Sequence, residues 1–76
     1  MPIQVKVFAE YRERFGFDQR EVGHSEGIDP QTVWRLMGGG ALPQNLLCSI
    51  NWDYVSLDTV LNEGDELAFF PPVSGG

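Results

Sequence analysis

The chain has 76 residues, a formal net charge of −6 and a pI of about 4.4. Its five scattered Lys and Arg residues cannot form the basic face that nucleic-acid binding requires. No segment approaches the ~20 apolar residues of a membrane span, and the first residues lack the basic and apolar regions of a signal peptide. We therefore expect a cytoplasmic domain with no nucleic-acid or membrane partner, whose acidity attracts a positively charged protein or only keeps the chain soluble.

The N-terminal part of the chain predicts a strand, a short helix and an edge strand. Residues 3–8 alternate between apolar and other side chains, which is the period of a strand with one buried side. Apolar residues at helical spacing in segment 9–15, followed by Gly16, predict a short helix that ends at the glycine. The short polar segment 19–25 is typical of an edge strand.

The central part of the chain predicts a second helix. Asp29 supplies an N-cap acceptor, and Pro30 occupies the first helical position. Three apolar residues at helical spacing then form the stripe expected to face the sheet: Val33, Leu36 and Met37. Trp34 lies off this stripe. The glycine triplet 38–40 ends the helix and predicts a flexible connection, because no Lys-Ser/Thr pair of a phosphate loop follows it.

The remaining segments predict a run of strands. Strands at 46–50 and 54–56 flank a hairpin turn at 51–53. Residues 57–61 predict one short helical turn, and a turn at 62–65 leads into the last strand, 66–70. The order of strand, helix, strand, helix and further strands predicts an α+β domain with the sheet packed on the second helix.

The single cysteine and the single histidine exclude two kinds of stabilising site. One Cys48 cannot form an internal disulfide, and Cys48 with His24 cannot supply the four ligands of a zinc site. Because Cys48 lies among apolar residues in a predicted strand, we expect a buried structural thiol and not a nucleophile.

Two phenylalanines are predicted on the side of the sheet that points away from the core. The odd-numbered apolar residues of the first strand face the core, so Phe8 faces outward. In the last strand, Leu67 and Phe69 form the natural core pair and leave Phe70 on the outer side. An exposed aromatic patch is typical of a partner surface. In the alternative, Phe8 tucks under the first helix and Phe70 packs against Pro71.

The last six residues predict an extended tail. Pro71 and Pro72 lack N–H donors and hold the preceding residues extended, so the tail reaches roughly 20 Å. Gly75 and Gly76 have no Cβ and can enter a channel too narrow for side chains. An activating enzyme could convert the terminal carboxylate to an acyl-adenylate with ATP, for attack by sulfur or an amine. In the alternative, the tail is an inert glycine-rich stub.

The last eight residues, FFPPVSGG, closely resemble the C-terminal signature of the small subunit of molybdopterin synthase (the MoaD family). The preceding residues 64–68, the opening 3–9 and the Thr32-Val33-xx-Leu36 helix also resemble that family. So do Asn51, Val55-Ser56 and the region of Asp58, so the resemblance spans essentially the whole chain.

The resemblance implies a ubiquitin-like β-grasp fold and a carrier activity. Residues 1–76 would form a single domain with 71–76 as the extended tail, and the first and last strands would be neighbours at the sheet centre. An ATP-dependent, ubiquitin-activating-like adenylyltransferase would adenylate Gly76, and sulfur would convert it to a thiocarboxylate. The chain itself would bind no cofactor and would not be catalytic alone.

The resemblance also implies partners and contact residues. The tail residues Val73, Ser74 and Gly75 would insert into the large synthase subunit, where sulfur is transferred to cyclic pyranopterin monophosphate. Two small subunits would flank a large-subunit dimer as a heterotetramer. By position, the family's hydrophobic contact surface corresponds to three residues: Phe8, Tyr54 and Phe70. Tyr54 departs from the aliphatic residue expected there, and segment 38–45 is short and rich in glycine for the family.

Two other functions stay open from the sequence. The first is a sulfur carrier for another recipient, such as thiamin thiazole or a thiolated tRNA, although the Phe-Phe-Pro-Pro ending argues against the thiazole. The second is a β-grasp interaction module with an inert tail.

Overall fold

The computed structural model describes residues 1–72, which contain a mixed five-stranded sheet and two short helices. The strands are Ile3–Val7 (β1), Gln19–Val22 (β2), Leu47–Ile50 (β3), Asp53–Val55 (β4) and Glu66–Phe70 (β5). The helices are Glu10–Phe15 (α1) and Pro30–Leu36 (α2). The strand order is β2-β1-β5-β3-β4, and only the central pair β1–β5 is parallel among these residues. The predicted α+β class and the adjacent first and last strands are confirmed.

The alternation predicted for the two central strands is confirmed by burial. Ile3, Val5 and Val7 of β1 are at most 1% exposed, and Leu67 and Phe69 of β5 are fully buried. Because side chains alternate across a strand, these residues share the side of the sheet that packs on the helices. The other side of both strands is therefore the outer face of the sheet.

The elements between β1 and α2 form where the sequence predicts them. α1 ends at Gly16, which adopts the left-handed conformation (φ 81°) and donates its N–H to the carbonyl of Arg12 at 2.9 Å. β2 lies at one edge of the sheet and is mostly exposed, as predicted, although it ends at Val22.

α2 begins at the predicted N-cap, but it buries a different side from the predicted one. The Asp29 carboxylate accepts the N–H of Thr32 at 2.9 Å. Trp34 is fully buried, whereas Leu36 is 64% exposed, so the predicted apolar stripe is wrong at both residues. The reason is α1, whose Tyr11 and Phe15 rings pack edge-on against Trp34 at 5.1 and 4.9 Å.

The glycine triplet after α2 is part of the core packing. Gly39 is buried, and a Cβ at this position would collide with the indole ring of Trp34. Its N–H donates to the Trp34 carbonyl at 3.0 Å, and its own carbonyl accepts from Arg14 Nη2 at 2.6 Å. The prediction of a flexible connection is therefore wrong at Gly39, because only glycine permits this close approach.

The β3–β4 hairpin is confirmed, but its turn has two residues and not the predicted three, because Asp53 pairs with Ile50 as the first residue of β4. Asn51 and Trp52 both have positive φ, 51° and 71°, which is the requirement of a type I′ turn. Asn51 also accepts the Glu66 N–H at 3.0 Å and donates to the Asp65 carboxylate at 3.0 Å. These bonds fix the hairpin to the start of β5. Trp52 is unusual in this conformation, which costs a bulky L-residue roughly 1–2 kcal/mol.

Segment 57–61 does not form the predicted helical turn. The Leu57 carbonyl accepts the N–H of Gln31 at 3.1 Å, and Leu61 donates its N–H to the Ile28 carbonyl at 2.8 Å. Because these backbone groups bond to the segment around the start of α2, they are not available for helical hydrogen bonds within 57–61.

Cys48 is 1% exposed, and burial raises the pKa of its thiol to about 11. The predicted buried structural thiol is confirmed. Neither described helix is long and apolar enough to cross a membrane. Residues 1–72 also place no group of three or more His, Cys, Asp and Glu where it could hold a metal ion.

Candidate protein-interaction surface

The two phenylalanines predicted to face outward are in direct contact. The rings of Phe8 and Phe70 are stacked, with 4.9 Å between their centroids and 4° between their planes. Val7 of β1 pairs with Phe69 of β5 in parallel register, so the next residue of each strand emerges on the same side. Both rings are half-buried. The predicted outward orientation is confirmed, and the alternative in which Phe8 tucks under α1 is not observed.

Tyr54 joins this pair from the neighbouring hairpin. Its ring centroid lies 5.8 Å from that of Phe70, and its side chain is 71% exposed. The position follows from the register, because Tyr54 pairs with Ser49 of β3, which in turn pairs with Ala68 of β5. We call the three residues Phe8, Tyr54 and Phe70 the aromatic surface.

Small side chains lie between the large ones on the outer face. Ser49 and Ala68 are each 2% exposed although they belong to the outer side of β3 and β5. The Ser49 hydroxyl has no hydrogen-bond partner within residues 1–72. The centre of the outer face is therefore closed, and it contains one small apolar side chain and one hydroxyl without a partner among these residues.

Two further exposed apolar residues belong to this side of the molecule and were missed from the sequence. Leu47 pairs with Phe70 across β3 and β5 and is 37% exposed. Trp52, at the hairpin turn, is 62% exposed, and the Lys6 ammonium lies 5.4 Å from its ring centroid. Alternation within the predicted strand 46–50 would have placed Leu47 outward, whereas no local signal indicates the position of Trp52.

An ion pair lies on the outer face beside the aromatic surface. Lys6 Nζ lies 3.0 Å from Glu66 Oε1, and both side chains are about one-third exposed or less. Lys6 pairs with Ala68 from the β1 side of β5, away from Tyr54, and Glu66 lies two residues before Ala68 in β5. A polar rim next to an aromatic centre is the usual composition of a protein–protein contact.

The tail begins at the aromatic surface. Pro71 follows Phe70 directly and is half-buried, and Pro72 is exposed. The predicted tail residues Val73, Ser74, Gly75 and Gly76 lie outside the described residues. The described residues therefore form an apolar and aromatic surface next to the end of β5, where the tail begins.

A protein-family model described as the ThiS family matches residues 5–76. The chain belongs to the ThiS family. Two relatives of this ThiS-family chain carry the name "Molybdopterin synthase sulfur carrier subunit". The one from Haemophilus influenzae is 52% identical and the one from Escherichia coli is 39% identical, each over 97% of this chain and 99% of the relative. The resemblance seen in the sequence is confirmed.

Solved structures of similar shape confirm the ubiquitin-like β-grasp fold. SAMP1 from Haloferax volcanii superposes with a TM-score of 0.80 at 27% identity, over 100% of both chains. A chain of the complex of subunits 1 and 2 of the molybdopterin-converting factor from Helicobacter pylori superposes with a TM-score of 0.65. That chain is 18% identical over 100% of both chains, so the likeness concerns the fold alone.

Proposed function

We propose that this chain is the sulfur carrier subunit of a molybdopterin synthase. The observation that carries the proposal is the similarity, at 39% and 52% identity over nearly the whole chain, to two relatives of that name. The FFPPVSGG ending and the aromatic surface at the start of the tail support it.

The proposed chemistry takes place on the terminal carboxylate of Gly76. A carboxylate oxygen attacks the α-phosphorus of ATP, pyrophosphate leaves, and a glycyl-adenylate forms. A hydrosulfide ion then attacks the acyl carbon, displaces AMP and loses its proton, which leaves a thiocarboxylate. The thiocarboxylate sulfur then forms a bond to cyclic pyranopterin monophosphate. Hydrolysis of the acyl–sulfur bond leaves the sulfur on the pyranopterin and returns the terminus to the carboxylate.

The catalytic groups in this proposal belong to the partners. An adenylyltransferase of the ubiquitin-activating type binds ATP, in the cytoplasm where ATP is available, and the carrier holds no cofactor of its own. The large synthase subunit receives the tail, with Gly75 and Gly76 entering a channel too narrow for side chains and Val73 and Ser74 behind them. The solved Helicobacter pylori complex of two converting-factor subunits is the precedent for such a pair.

The aromatic surface is proposed as the docking site for the large subunit. Phe8, Tyr54 and Phe70 present stacked and tilted rings that are held by three strands. Aromatic residues are frequent anchors of protein interfaces, because they bury a large apolar area at a low cost in side-chain entropy. Docking at this surface directs the tail into the partner, since Pro71 follows Phe70. Two carriers would bind a dimer of large subunits.

The test is intact mass spectrometry after incubation with ATP, the cognate activating enzyme and a sulfur source. We expect the mass increase of one oxygen-to-sulfur exchange, localised to Gly76 by fragmentation. A chain that lacks Gly76 is the control, and it should keep its fold because the described core lies within residues 1–72. No mass change with an activating enzyme that modifies another carrier would contradict the proposal.

Reconstitution with the large synthase subunit then tests the recipient. Conversion of the pyranopterin precursor by the thiocarboxylated chain is the expected result. A thiocarboxylate that forms but is not consumed would indicate a carrier for another pathway. If no thiocarboxylate forms at all, the remaining hypothesis for the function is an interaction module with an inert tail.

A further inference from the structure

A cleft of about 280 Å³ lies beside the aromatic surface, between α1, β1 and the β3–β4 turn. Phe8 belongs both to this cleft and to the aromatic surface, so the two are continuous. We call it the Trp52 cleft, and the side chains that give it its character are Lys6, Phe8, Arg12, Asp18 and Trp52.

Trp52 is an exposed aromatic residue at a turn position that favours glycine. The second residue of a type I′ turn must adopt positive φ, which glycine does most easily, yet Trp52 adopts 71°. Its side chain is 62% exposed and therefore contributes little to the core. The Lys6 ammonium nevertheless makes a cation–π contact with the ring, 5.4 Å from its centroid. Lys6 Nζ is in turn paired with Glu66 Oε1 at 3.0 Å. The exposed indole therefore has a contact within the chain itself, on the side of Lys6.

The Trp52 cleft brings together two cations of an acidic protein. Lys6 and Arg12 are two of the five Lys and Arg residues in a chain of net charge −6. Arg12 is exposed and makes no ion pair within residues 1–72, whereas Lys6 is already paired with Glu66. Asp18 is the carboxylate that also lines the cleft. Arg12 is thus the cation available to an incoming acidic group.

We infer that the Trp52 cleft binds an acidic side chain of the large synthase subunit. The carboxylate pairs with Arg12, and the apolar residue beside it packs on the indole of Trp52. This inference rests on the proposed function and adds a second contact to the aromatic surface. Because the rest of the carrier is acidic and repels carboxylates, the cleft fixes the orientation in which the partner docks.

The experiment measures the affinity of the full 76-residue chain for the cognate large subunit by calorimetry at low and high NaCl. Trp52→Gly removes the indole and introduces the residue that the turn favours. We expect about tenfold weaker binding, together with a melting temperature that is equal or higher. An interface role and a structural role therefore predict opposite changes in stability.

Arg12→Gln tests the charge, with Arg35→Gln as the matched control. Both variants lose one positive charge, but Arg35 lies in the last turn of α2, outside the cleft. We expect Arg12→Gln to bind about fivefold more weakly and to show a smaller dependence on NaCl. Arg35→Gln should stay within about twofold of the unmodified chain at both salt concentrations.

The outcomes separate this inference from the proposed function. If the unmodified chain binds and transfers sulfur while Trp52→Gly and Arg12→Gln bind equally well, the cleft is not a contact and the proposed function stands. If Trp52→Gly lowers the melting temperature, its weaker binding is not informative, and the test depends on Arg12→Gln. An affinity and a salt dependence of Arg12→Gln equal to those of the unmodified chain would then overturn the inference. If the unmodified chain does not bind the large subunit, both proposals fail.

Discussion

The rings of Phe8 and Phe70 are nearly parallel, with 4.9 Å between their centroids and 4° between their planes. Phe8 follows Val7, and Phe70 follows Phe69. Since Val7 and Phe69 are partners in the parallel register of β1 and β5, the stacking of the two rings depends on that register. These are the two central strands of the sheet, and Pro71 begins the tail directly after Phe70. The proposed contact surface and the origin of the tail therefore have a fixed relative position.

Replacing either ring by a carboxylate should weaken the partner complex. We expect Phe8→Asp and Phe70→Asp to cost about 2 kcal/mol or more in binding to the large subunit, which is the scale of an interface anchor. Calorimetry measures the affinity, and circular dichroism checks the fold. Val60→Asp is the control, because Val60 is a 58% exposed apolar residue outside the aromatic surface. If either variant is unfolded, the replaced ring belongs to the core and not to the contact surface.

Gly39→Ala should destabilise the domain. The added Cβ would collide with the indole of Trp34, which is fully buried and cannot move without repacking the core. We expect a loss of about 1–3 kcal/mol in the free energy of unfolding, the range for overpacking. Gly23→Ala is the control, because no heavy atom outside its neighbours lies within 4 Å of a Cβ there. Equal stability of the two variants in urea would contradict the predicted close contact.

The N-cap of α2 predicts a dependence of stability on pH. Burial raises the pKa of Asp29, but hydrogen bonds from Thr32 and Gln31 outweigh it, so the net pKa lies below its ordinary value of 3.8. A depressed carboxyl pKa in the folded state stabilises the fold above pH 3.8, and this stability is lost as the pH falls through the folded pKa. Asp29→Ala should cost about 1 kcal/mol at pH 7.

Denaturation at a series of pH values checks the Asp29 prediction. The difference between the unmodified chain and Asp29→Ala should shrink below pH 3.8. Asp29→Ser is the control, since serine also caps helices but does not titrate in this range. A difference that stays constant down to the acid limit of the fold would show that the Asp29 charge contributes nothing.

Cys48 should be unreactive in the folded chain. Burial leaves its side chain 1% exposed and raises the pKa of its thiol to about 11, so little thiolate exists at pH 8. We expect slow reaction with a disulfide reagent in the native state and fast reaction after unfolding in guanidinium. Gln44→Cys combined with Cys48→Ala provides an exposed thiol as the control. Equal native rates for the two thiols would contradict the buried position.

The sequence by itself determined the features that depend on neighbours along the chain. Alternation placed the odd-numbered residues of β1 in the core, because successive strand residues point to opposite faces. Asp29 and Pro30 marked the start of α2, because capping needs only local backbone geometry. The FFPPVSGG ending identified the family resemblance without any three-dimensional information.

The tertiary structure alone decided which side of α2 is buried and how segment 57–61 runs. Trp34 is buried and Leu36 exposed because α1 packs against that side of α2. The helical turn predicted at 57–61 is absent from the described structure because its backbone groups bond to the segment around the start of α2. Both results depend on contacts between segments that are distant in sequence.

The candidate site shows the same division. Alternation predicted that Phe8 and Phe70 face outward, but their contact requires β1 and β5 to be parallel neighbours. Tyr54 and Trp52 reach the same side only because β3 pairs with both β4 and β5. Burial and contact depend on the strand order β2-β1-β5-β3-β4, which arises from the packing of the whole core and not from the period of any one segment.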